Sequence, residues 1–147
     1  MPSTKAKKAP RAGPASTTPS EIAPGVFVGT WEDALRFEGA RFCVLDEAPP
    51  DMPPATHVPI YNEGKDRADR TNLDRLAEAM RAARATGSPV LVFCGHGKYR
   101  SPLGGAWYLH RAEGLPLDEA YARVRSARPK AHRALDWVGN VEELRDR

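Results

Sequence analysis

The chain has 147 residues, 41% of them hydrophobic and 28% charged, which suits one soluble globular domain and excludes a fibrous or wholly disordered protein. The net charge of +3 sits in the first 20 residues, where Lys5, Lys7, Lys8 and Arg11 meet no acid; removing those four from 22 basic residues leaves 18 against 19 acidic ones. A body so close to neutral disfavours nucleic acid as its partner.

Residues 1–20, MPSTKAKKAPRAGPASTTPS, carry Pro, Ala, Ser, Thr and Lys without an aromatic residue, and read as a disordered basic tail before a domain over 21–147. The tail lacks the apolar run of a signal peptide, and no later stretch approaches the roughly 18 apolar residues of a membrane span. Two cysteines, Cys43 and Cys94, make no disulfide framework; both read as free thiols in a reducing, cytoplasmic setting. No membrane partner is expected.

In chain order, PGVFVG (24–29) has the boundaries and β-branched content of a strand. Thr30 is placed to cap a short helix over WEDALRFEG, ended by Gly39. RFCVLD (41–46) reads as a second strand and ATHVPI (55–60) as a third, with the breaker EAPPDMPP between them. YNEGKDRADR is a polar loop. Leu73, Leu76, Ala77 and Met80 recur at helical spacing, and Gly87 stops that helix. PVLVF (89–93) is the clearest strand, and helical stretches follow at about 102–113, 117–126 and 131–145. This alternation implies an α/β fold, with a central, mainly parallel sheet of about four to five strands flanked by helices. Ligands of such sheets sit at the carboxyl ends of the strands, where Cys94 lies.

The stretch FCGHGKYRS then has to be explained as chemistry. Gly95 and Gly97 permit a tight turn whose backbone N–H groups point inward, an oxyanion nest that the start of the next helix reinforces. The candidate phosphate-binding loop is therefore Gly95, His96, Gly97, Lys98, Tyr99 and Arg100, between the last strand and a helix. Arg100, six positions after the cysteine, returns a guanidinium to the same centre to grip two phosphate oxygens. The same field stabilises a thiolate at Cys94 as nucleophile, and Ser101 offers a hydroxyl to help it depart later. A Walker A loop is excluded because Tyr99 follows Gly97-Lys98 and Val92 stands where the first glycine belongs. Cys94 and His96 lack a second ligand pair, so no metal site is read here. Cys43 reads as core, with a role as resolving thiol for oxidised Cys94 as the alternative.

These residues resemble the cysteine-dependent protein tyrosine phosphatases, in particular the small dual-specificity branch, whose signature is His-Cys-x-x-Gly-x-x-Arg-Ser. PGVFVG is similar to that family's opening strand and VPI (58–60) to the strand before its acid loop. VRSARPKAHRALDWVGNVEEL is similar to its closing Arg-Pro turn and last helix. The resemblance implies an α/β phosphatase using Cys94 as nucleophile and Arg100 as phosphate clamp, with no metal or cofactor. Low-molecular-weight phosphatases place the loop near the amino terminus, unlike this chain. Rhodanese-type phosphatases fit its spacing but not its flanks.

Two positions depart from the pattern. Phe93 replaces the signature histidine, and a phenyl ring packs where an imidazole would hydrogen-bond. The family's general acid is an Asp after a Val/Ile-Pro-Ile-x run, and VPIYN puts Asn62 there; an amide cannot protonate a leaving oxygen. Asp66, Glu63 and Asp69 are the nearby carboxylates, with Asp66 favoured on residue type and Glu63 next.

The leading reading is a protein phosphatase acting on phosphotyrosine, and on phosphoserine or phosphothreonine in the broader version, with a phosphorylated protein as partner. The alternatives are a phosphatase of RNA 5′ ends or another polyanion, to which His96 and Lys98 point, and a weakened phosphate-binding pseudophosphatase, to which Phe93 and Asn62 point. Oligomeric state leaves no mark on the sequence.

Overall fold

The structure, a computed structural model, describes residues 18–62 and 67–133. The tail up to residue 17, Glu63, Asp66 and the expected closing helix beyond residue 133 lie outside the described residues.

Strand β1 (Ser20–Ala23) runs antiparallel to β2 (Val26–Thr30), and helix α1 (Trp31–Arg36) follows directly. Then come β3 (Ala40–Cys43), β4 (Thr56–His57), the short pair β5 (Tyr61–Asn62) and β6 (Arg67–Ala68), helix α2 (Arg70–Ala85), strand β7 (Val90–Cys94), and helices α3 (Arg100–Ala112) and α4 (Leu117–Ala127). Five strands form one sheet in the order β1-β2-β7-β3-β4, in which β2, β7, β3 and β4 run parallel. The mainly parallel α/β sheet expected from the sequence is therefore present, with one antiparallel edge.

β7 is the central strand, and all five of its residues are buried. Strands covered on both faces read as continuous apolar runs, which is why this one was legible. Its side chains alternate. Val90, Val92 and Cys94 face the core shared with α2, α3 and α4, while Leu91 and Phe93 join Ala34 and Cys43 under α1. That alternation fixes which side of the sheet receives the Cys94 side chain.

Helix α3 brings the other half of the site. Every residue from Ser101 to His110 is buried, so it is the central helix of its layer. Gly104 and Gly105 let it lie close on the sheet. A Cβ on Gly105 would come within 2.6 Å of Val28 Cγ2, and one on Gly104 within 3.1 Å of Val92 Cγ2. This close approach seats the α3 amino terminus over the end of β7.

Thr30 caps α1 as the sequence indicated. Its Oγ1 accepts from the Asp33 N–H at 3.1 Å, and Asp33 Oδ2 accepts from the Thr30 N–H at 2.9 Å, a reciprocal capping box.

Several elements differ from the sequence reading. β1 begins at Ser20, inside the span assigned to the tail, because Ser20 pairs with Val28. ATHVPI is strand only over Thr56–His57, since Pro59 has no N–H to give a ladder. RFCVLD leaves the strand after Cys43, although the Val44 N–H still donates to Phe93 O at 3.1 Å. The polar loop after residue 60 carries the β5-β6 pair, too short to show any periodicity. Residues 131–133, the start of the expected last helix, are irregular.

Candidate active site

Cys94 ends β7, residues 95–99 turn, and Arg100 opens α3. The chain wraps its donors back onto the sulfur. The Gly97 N–H donates to Cys94 Sγ at 3.3 Å and the Ser101 N–H at 3.4 Å. The Cys94 thiol in turn donates to Ser101 Oγ, with Sγ and Oγ 3.3 Å apart, and that hydroxyl donates to Gly29 O at 3.0 Å. Ser101 thus ties the sulfur to the end of β2, the neighbouring strand.

The two loop glycines differ in need. Gly97 has φ 69°, the left-handed region, and a Cβ there would collide with the Arg128 guanidinium. Gly95 has neither a positive φ nor any atom within 4 Å of where a Cβ would stand. Gly97→Ala is therefore expected to cost about 1–2 kcal/mol in backbone strain alone. By displacing a donor it should also lower turnover of an aryl phosphate by roughly a hundredfold. Gly95→Ala should stay near the parent rate. Steady-state rates beside melting temperatures check the pair, and equal losses would show that the turn does not depend on Gly97.

Arg128 is the support that sequence reasoning missed; it appeared only inside the closing Arg-Pro turn. Its side chain is buried beneath the loop, where Nε donates to Gly97 O at 2.8 Å and Nη1 to Ser20 Oγ at 3.0 Å. Burial pushes its pKa down, while the charges of Asp33 and Cys94 act to hold the guanidinium ionised. A second cation therefore sits behind the loop, on the opposite side from solvent.

Arg100 has two neighbours that its motif could not reveal. Asp46 Oδ2 lies 3.6 Å from Nη2, and the Tyr61 ring centroid lies 5.3 Å from Cζ, within cation–π range. On the loop's outer side, Tyr99 stacks on His132 with centroids 4.5 Å apart, and the His132 backbone N–H donates to Lys98 O at 2.7 Å.

Cys94, Gly95, His96, Lys98, Tyr99 and Arg100 line a cavity of about 450 Å³ together with Leu45 and Tyr61. The sequence-derived loop residues are thus brought together, with Gly97 and Ser101 buried beneath. A larger hollow of about 520 Å³ between α2 and α3 is lined by no cysteine, serine or threonine. Chemistry rather than size singles out the cavity at Cys94.

The remaining candidates separate. Asp69 caps α2, its Oδ1 accepting from the Asn72 N–H at 3.0 Å, so it is committed to the fold. Glu63 and Asp66 lie outside the described residues. Cys43 pairs with Phe93 in register and points to the α1 face, away from Cys94, which argues against a resolving role. Burial is the main cause that raises its thiol pKa, and the charge at Cys94 adds to it. Phe93 is packed beside it, fully buried. Among the described residues, no group of three or more His, Cys, Asp or Glu is placed to hold a metal ion.

The chain is 32% identical over 137 residues to human dual specificity phosphatase 28, covering 84% of this chain and 77% of that protein. A solved structure of human dual specificity phosphatase 28 matches with a TM-score of 0.72 and 28% identity, over 92% of this chain and 97% of that one. The structure of a mouse putative dual specificity phosphatase complexed with zinc tungstate matches at 0.72 and 29% identity, over 93% and 91%. No family model matches the chain.

Proposed function

The chain belongs to the dual-specificity phosphatases and is a cysteine-dependent phosphatase, and from that premise we propose that it hydrolyses phosphotyrosine in protein substrates through a phosphocysteine at Cys94. Phosphoserine and phosphothreonine are secondary substrates in this reading. The observation that carries it is the convergence of the Gly97 and Ser101 N–H groups on Cys94 Sγ, with Arg100 at the rim of the same cavity.

A phosphate dianion fits over Cys94 Sγ, in the cavity that the loop residues and Arg100 line. Arg100 grips two of its oxygens and the nest takes the charge that develops. The Cys94 thiolate attacks phosphorus in line, forming the P–S bond as the bond to the leaving oxygen breaks and that oxygen takes up a proton. Water then attacks the phosphocysteine, and the sulfur departs as a thiolate beside the Ser101 hydroxyl, 3.3 Å away. Tungstate, named with the mouse relative, is a tetrahedral oxyanion of phosphate's shape. Leu45, Tyr61 and Tyr99 give the cavity apolar and aromatic walls suited to an aryl ring.

No helix among the described residues is long and apolar enough to cross a membrane. The free thiols of Cys43 and Cys94 support a reducing, cytoplasmic setting.

Three substrates test the reading: an activated aryl phosphate, a phosphotyrosine peptide and a 5′-triphosphorylated RNA oligonucleotide. Turnover of the first two, blocked by vanadate and indifferent to chelators, is expected. Preference for the oligonucleotide would move the function to RNA 5′ ends, for which exposed Lys98 and His96 at the cavity are the supporting feature. Binding of phosphate without turnover of any of the three would identify a pseudophosphatase.

A further inference from the structure

The Asp46 carboxylate lies just past β3, at the same end of the sheet as Cys94. Its side chain is 36% exposed as a whole, yet Oδ1 is buried and has no hydrogen-bond partner among the described residues. Oδ2 faces Arg100 Nη2 at 3.6 Å. A carboxylate with one oxygen buried and unpaired depends on the charge beside it. That charge belongs to the guanidinium assigned to grip phosphate. Leu45 lines the cavity and Asp46 does not, so the Asp46 carboxylate is set against Arg100 rather than in contact with a bound phosphate.

We propose that Asp46 is a positioning residue for Arg100: it holds the clamp in place before phosphate binds and then competes with bound phosphate for the same guanidinium. The proposal rests on the phosphatase reading above. Two consequences of opposite sign follow. Holding Arg100 between Asp46 and the Tyr61 ring spares the site the entropy of ordering a long side chain at the moment of reaction, which favours turnover. A negative charge next to the clamp opposes a second negative charge arriving there, which disfavours oxyanion binding. A residue of purely structural value would not separate these effects, since loss of local order weakens binding and turnover together.

The experiment uses the full chain with Asp46→Asn, which keeps shape and removes charge, and Asp46→Glu, which keeps charge on a longer stem. Binding of inorganic phosphate is measured by calorimetry in a Cys94→Ser background, with kcat and KM for an aryl phosphate measured in the Cys94 background. Asp46→Asn is expected to tighten phosphate binding by about two- to fivefold. It should at the same time lower kcat by about tenfold or more. Asp46→Glu should move both values back toward the parent. Unchanged or weaker phosphate binding in a folded Asp46→Asn protein would overturn the proposal, as would an unchanged kcat. Phosphate binding by a parent protein that turns over no substrate would sink the enzymatic reading alone, and the phosphate arm would still decide the role of Asp46. A Cys94→Ser parent that binds no phosphate would overturn both.

Discussion

Cys94→Ser is expected to lower aryl phosphate turnover by at least about a thousandfold while leaving the fold and oxyanion binding in place. The sulfur is the acceptor for two backbone N–H groups, from Gly97 and Ser101, so the loop is organised around an anion at that position. A serine oxygen occupies similar space and still accepts those bonds, but its hydroxyl does not ionise near neutrality and makes no nucleophile there. The nest and Arg100 remain to hold phosphate, with the buried Arg128 guanidinium bracing the loop from behind. Arg100→Lys should be severe for another reason: an ammonium is a point charge and cannot supply the two parallel N–H bonds that fix an equatorial pair of oxygens, a loss of about a hundredfold or more. Rates on an aryl phosphate, melting temperatures and phosphate calorimetry together check both variants. Substantial turnover by Cys94→Ser would sink the phosphocysteine route, and a near-parental rate for Arg100→Lys would show that Arg100 is not the clamp. Cys43 does not confuse the comparison, because it lies under α1 on the other face of the sheet with its thiol held protonated by burial.

The sequence announced the centre of the site and missed its supports, for a physical reason. Val90 to Cys94 is an unbroken apolar run that only a strand buried on both faces can use, and Leu73, Leu76, Ala77 and Met80 mark one face of a helix; all are buried. The glycines, Arg100 and Ser101 lie within a few residues of Cys94, so their convergence needs only a turn. Asp46 follows β3, Tyr61 stands in β5 and Arg128 ends α4, and they meet the loop only because the tertiary fold packs those elements around it. Nothing local marks them. Thr18 and Ser20 carry the same lesson. Polar and next to a basic tail, they look like its continuation, yet the Thr18 carbonyl and Ser20 hydroxyl accept from the buried Arg128 side chain. Phe93 is the reverse case. Read as a lost histidine, it is an apolar residue among Ala34, Cys43 and Leu91, where a phenyl ring fits the packing.

The general acid has the other large effect. An activated aryl phosphate releases a stable leaving group and tests the nucleophile with little help, whereas phosphotyrosine and alkyl phosphates need a proton on the departing oxygen. A positioned acid supplies about 10² to 10⁴ in rate there. Read by the resemblance of VPIYN, Asn62 falls where the family places its acid, and Asp69 is committed to capping α2. That leaves Asp66, with Glu63 second, on the connection that follows Tyr61, whose ring lines the cavity. Asp66→Asn is expected to cost far more on phosphotyrosine peptide or phosphoserine than on the activated substrate, with Glu63→Gln mild on both. The pH profile gives the sign independently. A general acid works only while protonated, so the parent rate on a poor leaving group falls as pH rises through the acid's titration, and Asp66→Asn should flatten that basic limb. The reverse ranking of the two variants would move the role to Glu63. If both are mild on every substrate, no side chain of that connection donates the proton, and Asn62→Asp becomes the decisive variant: a rise confined to poor leaving groups would show that the site lacks only its acid.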